Sequence, residues 1–347
     1  MSASRPVPPL LAAYRGEAVT RRPVWFMRQA GRSLPEYRAI REGTTMLGAC
    51  LDPELAAEIT VQPVRRHDVD AAIFFSDIVV PLRLAGIGVE IVPGVGPVID
   101  QPVRTAADLA RLPELDPAAL APVRDGVALT VSMLGEVPLI GFAGAPFTLA
   151  SYLVEGRPNR SLPATRALLA TEPAVFDRLL GWVAGLTAAF LRAQAGAGAA
   201  ALQLFDSWAG RLSPAEYATA VAPHSAAVFA AVADLGLPRV HFGTGTRDLL
   251  PAMLAAGADV IGVATDIGLD EASALLGGAV PLQGNLDPAL LAADWPTLER
   301  AARDVVSRGA AVPGHVFNLG HGVPPDTDPD VLTRLVELVH SIPPQEK

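Results

Sequence analysis

The sequence predicts a (β/α)8 TIM barrel built as a single domain. Three observations predict it. Eight short apolar segments run from Val24 to Leu319, helical segments lie between them, and polar residues and glycines gather where each apolar segment ends. In a barrel those ends form one rim, and ligands bind there. The same alternation also suits a doubly wound open sheet. No Gly/Ser-rich linker interrupts the chain, which favours one domain. Residues 1–22 read as a polar, proline-rich lead-in and residues 23–347 as the barrel.

The elements follow in order. Residues 24–27 form an apolar first strand, and helices are expected over 36–41 and 53–66, the latter with an apolar face from Leu55, Ile59, Val61 and Val64. Residues 69–75 read as a buried strand ending in Ser76-Asp77, and 86–97 as a hairpin excursion. Helices are expected over 105–112 and 117–134. The remaining strands fall at 138–143, 199–205, 239–242, 259–264, 280–283 and 315–319. Helices at 171–194, 214–235, 249–256, 270–276, 288–308 and 329–340 separate or follow them.

Composition narrows the function. The chain has 347 residues, half of them hydrophobic, enough for a large core. A formal net charge of −9 opposes bulk attraction to nucleic acid or an anionic membrane. Any anionic ligand must therefore be held by a local arginine cluster. Cys50 is the single cysteine, so no intramolecular disulfide or cysteine-pair zinc site forms, and a reducing cytoplasm is expected. The first 18 residues lack a signal peptide's apolar core. No run is expected to span a membrane, because Arg192, Gln194 and Gly196 break the Ala-rich stretch at 184–201.

Candidate chemistry begins at residues 23–37, PVWFMRQAGRSLPEY. Arg28 and Arg32 flank Ala30 and Gly31, a bend where backbone can approach a ligand. Two guanidinium groups there make a fork for carboxylates or phosphates. A plain strand, turn and helix with surface arginines reads the same residues without a ligand. Asp77 follows an apolar run, where a carboxylate needs a partner, although a helix cap explains it too. Tyr152 reads as a half-buried helix tyrosine. Ser207 lacks the Gly-x-Ser-x-Gly context of a nucleophile and reads as a cap. His321 stands between two glycines at a strand end, open to a barrel mouth. His67, His224, His241, His315 and His340 show no metal-ligand spacing and receive no role. Gly86-Ile-Gly88 lacks a dinucleotide motif's third glycine, and Gly243-Thr-Gly245 lacks a P-loop lysine.

The 23–37 stretch resembles the N-terminal signature of the uroporphyrinogen decarboxylase family, RQAGR(Y)xPEY, with Ser33 in place of its tyrosine. Four further blocks match that family's pattern: Phe75-Ser-Asp77, the Ala145–Gly156 segment with Tyr152, Phe205-Asp-Ser-Trp-Ala-Gly210, and Asn318-Leu-Gly-His-Gly322. The likeness runs from about Pro23 to His340. It departs at Gly262-Val-Ala264-Thr265, where the family has Asp-Trp after the sixth strand.

The resemblance implies a tetrapyrrole substrate, uroporphyrinogen, whose four acetates lose CO2. It gives catalytic roles to Asp77, Arg28 and Arg32. It gives substrate contacts to Arg28, Gln29, Ala30, Gly31, Arg32, Asp77, Tyr152, Ser207 and His321. Neither a metal nor another cofactor is expected, because a protonated pyrrole ring is itself the electron sink. Asp77 is expected to face the pyrrole N–H groups, and the arginines to grip carboxylates. The proton donor stays open between a carboxylic arm and water relayed through an arginine. A homodimer is implied as well. Two other readings compete: a corrinoid- or zinc-dependent methyltransferase of the same superfamily, and a non-catalytic tetrapyrrole binder.

Overall fold

A computed structural model describes residues 6–344. Its centre is a curled sheet of seven parallel strands: β1 (Ala72–Ile73), β4 (Leu139–Gly144), β5 (Ala201–Asp206), β6 (Arg239–Gly243), β7 (Val260–Gly262), β8 (Leu282–Leu286) and β9 (His315–Leu319), hydrogen-bonded in that order. The two remaining strands, β2 (Val89–Val92) and β3 (Gly96–Ile99), form a separate antiparallel hairpin, as the 86–97 stretch predicts. Parallel strands covered on both faces bury every residue, and β4, β8 and β9 are buried throughout.

Three expected strands shrink, the 259–264 strand to Val260–Gly262 and two others further. Residues 24–27 contribute one parallel bridge, Val24 to Phe317, where a full strand was expected. Phe317 N donates to Pro23 O at 2.9 Å and Trp25 N donates to Phe317 O at 3.3 Å. On the other side Asp70 N donates to Val24 O at 2.8 Å. The chain then turns at Gln29, so the ladder stops. The expected 69–75 strand pairs only over Ala72–Ile73 in β1. Beyond it Phe75 N donates to the Thr60 hydroxyl, which turns the chain out toward Asp77.

Helices form mostly where expected, and their starts are chemically marked. Proline stands in the first turn of Pro35–Ile40, Pro53–His67, Pro146–Glu155, Pro173–Gly196 and Pro329–Ser341, where its missing N–H costs nothing. Asp52, Asp294 and Asp328 cap their helices by accepting backbone N–H groups. The expected 214–235 helix is interrupted by a π turn at Tyr217–Val221.

One segment is more ordered than its composition suggests, and one expectation fails. The lead-in carries a helix, Pro9–Tyr14, that buries Leu10, Ala13 and Tyr14. Tyr14 donates to Gln283 Oε1, which also accepts from the Trp25 indole, and Gln283 Nε2 donates to Gln203. By length and composition, Pro173–Gly196 and Pro214–Leu235 are apolar enough to cross a membrane, against the expectation of no such run. Pro173–Gly196 is largely buried against the rest of the protein.

Asp70 fastens the chain's two ends. Its side chain is 1% exposed and accepts from Arg21 Nε, Val24 N and His340 Nε2, each at 2.8 Å. Asp70→Ala leaves a buried backbone N–H and an imidazole unpaired. The expected loss is about 2–4 kcal/mol of stability, read by denaturant unfolding. A loss under about 0.5 kcal/mol refutes the fastening role.

Candidate active site

Every C-terminal strand end of the sheet that carries a sequence-predicted residue opens on one cavity of about 430 Å³. Its lining includes Arg28, Ala30, Gly31, Arg32, Asp77, Tyr152, Ser207 and His321. Gln29 is the exception. It is fully buried, its Oε1 accepts from Phe26 N and its Nε2 donates to Ala71 O, both at 3.0 Å. The side chain of Gln29 thereby locks the turn that carries Arg28.

That turn is strained. Arg28 has φ of +61°, a conformation that costs a residue with a Cβ of order 1–3 kcal/mol. Surrounding bonds hold it there: Met27 N donates to Asn318 Oδ1 at 3.1 Å, and Val323 N donates to Met27 O at 2.8 Å. Asn318 thereby ties the arginine turn to the loop carrying His321. Gly322 completes the joint, since a Cβ there would sit 2.5 Å from Arg28 Cδ. Among the described residues, neither the Arg28 nor the Arg32 guanidinium has a hydrogen-bond or ion-pair partner, and both are exposed to the cavity.

Asp77 is half-buried, with Oδ1 accepting from Val79 N at 3.0 Å. Burial pushes its carboxyl above the usual range, while Val79 N–H and the Arg28 charge pull it back. The local bond expected of a capping aspartate is present at Oδ1, and the residue also lines the cavity. Tyr152 lies on Pro146–Glu155 with its ring edge-on to Trp208, at 5.9 Å. Burial first, and Asp77 after it, raise its phenol, so it stays a neutral donor. Ser207 follows β5, and its backbone carbonyl accepts from Thr244 Oγ1 at 2.9 Å.

His321 Nδ1 accepts from Gly322 N at 2.6 Å, leaving Nε2 to carry the proton of the neutral ring. Enclosure in the cavity first, and the Arg28 charge second, hold its imidazole below the ordinary 6.5. The unfolded chain therefore binds this proton more readily than the folded one. Wild type should lose stability relative to His321→Gln as the pH falls below about 6.5, measured by unfolding at pH 7 and 5. Parallel pH profiles for the two proteins would refute it.

Several cavity residues escape a sequence reading. Phe142, Phe205 and Phe242, on β4, β5 and β6, line it as a row of edge-on rings with centroids 5.4 and 5.8 Å apart. Apolar strand residues read as core; only their shared place near three neighbouring strand ends signals a floor. Tyr37, Met46 and the hairpin residues Ile91 and Pro97 add further wall. Ser33 lines the cavity with a buried hydroxyl lacking a partner among the described residues. Ala264 and Thr265 lie outside the lining and pack under Gly320. Among the described residues, no group of three or more His, Cys, Asp or Glu side chains is placed to hold a metal ion.

A family model described as uroporphyrinogen decarboxylase (URO-D) matches residues 6–342. The chain belongs to the uroporphyrinogen decarboxylase family. A uroporphyrinogen decarboxylase of Arthrobacter sp. (strain FB24) is 63% identical over 337 residues, covering 97% of this chain and 98% of that protein. Another, from Leifsonia xyli subsp. xyli, is 59% identical over 352 residues and covers 95% and 93%. Among solved structures, a methyltransferase from Methanosarcina mazei superposes with a TM-score of 0.78 at 19% identity, over 95% of this chain and 97% of that one. A B12-independent methionine synthase from Shewanella sp. W3-18-1 gives 0.55 at 9% identity, over 83% and 87%. At such identities these two carry the fold alone: an α/β fold around a curled parallel sheet.

Proposed function

We propose that the chain decarboxylates uroporphyrinogen III to coproporphyrinogen III, converting four acetate arms to methyls without a cofactor. The carrying observation is the convergence of Arg28, Arg32, Asp77, Tyr152, Ser207 and His321 on one cavity with an aromatic floor. The family and the relatives' names support the same reading.

The residues suit the chemistry. A proton adds to a pyrrole carbon and makes that ring a cation. The C–C bond to the carboxylate then breaks, its electron pair enters the ring, and CO2 leaves. A proton taken up at the exocyclic carbon gives the methyl, and the ring returns its own. Asp77 faces the ring nitrogens and favours the cation electrostatically. Arg28 and Arg32 pair with carboxylate arms in bidentate fashion. Tyr152, Ser207 and the Nε2–H of His321 donate to others. The aromatic floor carries the face of the macrocycle.

Anaerobic incubation with uroporphyrinogen in the presence of a chelator should yield the four-carboxylate product, resolved by carboxyl number. Inert chelated protein that revives only with zinc would replace this reading with a methyltransferase-type one. Tight binding without CO2 release would leave a tetrapyrrole binder.

We infer three further points. Residues 23–25 take the place of an eighth strand between β9 and β1, supported by their hydrogen bonds to Phe317 and Asp70. Residues 23–347 then act as one barrel domain. The protein works in the cytoplasm as a homodimer, as the resemblance implies, and sedimentation velocity tests the dimer.

A further inference from the structure

Behind the cavity wall, between the sheet and its helices, lies a buried acid and base that the mechanism above does not use. Asp206 ends β5, immediately before Ser207, and His241 lies on β6; both side chains are wholly buried. Thr148 Oγ1 donates to Asp206 Oδ1 at 2.9 Å and accepts from Trp208 N at 3.2 Å. Thr148 shares its helix with Tyr152, one turn on, and Trp208 packs edge-on to Tyr152. Asp206 therefore joins the two segments that present Ser207 and Tyr152.

The far side of this carboxylate has a hydrogen count that fails to close. The His241 Nδ1 contact at 3.3 Å is with the carbonyl of Met253, so Nδ1 must carry a hydrogen. In the neutral ring Nε2 is then an acceptor. It lies 3.8 Å from Asp206 Oδ2, also an acceptor, and among the described residues neither atom has a hydrogen-bond partner. Two buried acceptors facing each other are repulsive and unsatisfied. A water donating to both would hold them about 4.4 Å apart. The Tyr217 hydroxyl, from the π turn, also lies close enough for the Asp206 carboxylate to hold its phenol up, after burial.

We propose that His241 carries a proton on Nε2 toward Asp206, and that this buried imidazolium–carboxylate pair positions Ser207 and Tyr152 through Thr148. The proton turns two facing acceptors into opposite charges: the ring donates to Met253 O, Thr148 donates to Oδ1, and Nε2–H faces Oδ2 at 3.8 Å as an ion pair. Asp206 and His241 are positioning residues, because neither lines the cavity.

The test has two arms. Nitrogen-15 NMR of histidine-labelled protein reads the ring directly, without substrate. Both His241 ring nitrogens should carry hydrogen in wild type. In Asp206→Asn the new amide donates to Nε2, so only Nδ1 should remain protonated. The second arm rests on the decarboxylase reading. Asp206→Ala and Thr148→Val should raise KM for uroporphyrinogen about 10-fold with kcat within about 3-fold, as misplaced binding groups do. Asp206→Asn should restore KM, its carbonyl still accepting from Thr148. A bare Nε2 in wild type, or an unchanged KM in Thr148→Val, overturns the proposal; Thr148→Val and the NMR arm serve if Asp206→Ala does not fold. Wild type without decarboxylation would sink the functional reading while the NMR arm still decides the proton.

Discussion

Asp77→Asn should lower kcat about 10²-fold or more, and leave the eight-carboxylate substrate largely unconverted. The substitution keeps the shape and the Oδ1 contact to Val79 N, so the fold should survive. What it removes is the negative charge opposite a ring that must become positive. An interaction made only with the cation acts on kcat, and KM should move little. The same carboxyl accounts for an acid limb. Burial raises its pKa above 3.8, so wild-type activity should fall on acidification at a pH above that value. Wild-type-like turnover in Asp77→Asn would remove the electrostatic argument altogether.

Gly322→Ala should raise KM about 10-fold or more while stability stays close to wild type. The backbone of Gly322 is outside the left-handed region, so alanine fits it without strain. Its methyl, however, would fall 2.5 Å from Cδ and 2.8 Å from Cγ of Arg28. The arginine stem must swing aside, and the guanidinium leaves the carboxylate it grips. Arg28→Lys should give a similar KM, since it keeps the charge but loses the two-pronged geometry. Unfolding midpoints and uroporphyrinogen kinetics for both variants check this. If alanine is silent at 322, Arg28 does not bind substrate in the orientation described.

The rim of the site was legible in the sequence because its residues stand in unusual company. Arg28 and Arg32 around Ala30-Gly31, and His321 between two glycines, break the apolar pattern at strand ends. The floor was not legible, because Phe142, Phe205 and Phe242 satisfy that same pattern. The bracing role of Gln29 was not legible either, because a polar side chain inside such a motif gives no sign that its amide serves the backbone holding Arg28. Asp206 and His241 were passed over because their meeting depends on neighbouring strands, Leu204 facing His241 in the register. Residues 24–27 read as a full strand because apolar character reports burial, and Val24 to Met27 are buried with little pairing.

The stitching of Met27 to Asn318 and Val323 has a consequence for how a bulky disc gets in. The turn carrying Arg28 and the loop carrying His321 are bonded into one jaw, so a shift of one breaks bonds to the other. The opposite jaw is the β2–β3 hairpin, rooted at Ile99 and Asp100 by Gly156 O and Gly88 O, with Val95 at its tip in solvent. The hairpin is thus the side of the mouth held by fewer bonds to the jaw opposite, and it is there that passage of a macrocycle is expected to respond to a change in stiffness. Stiffening its tip would slow passage through the mouth while leaving the grip on a seated ligand intact.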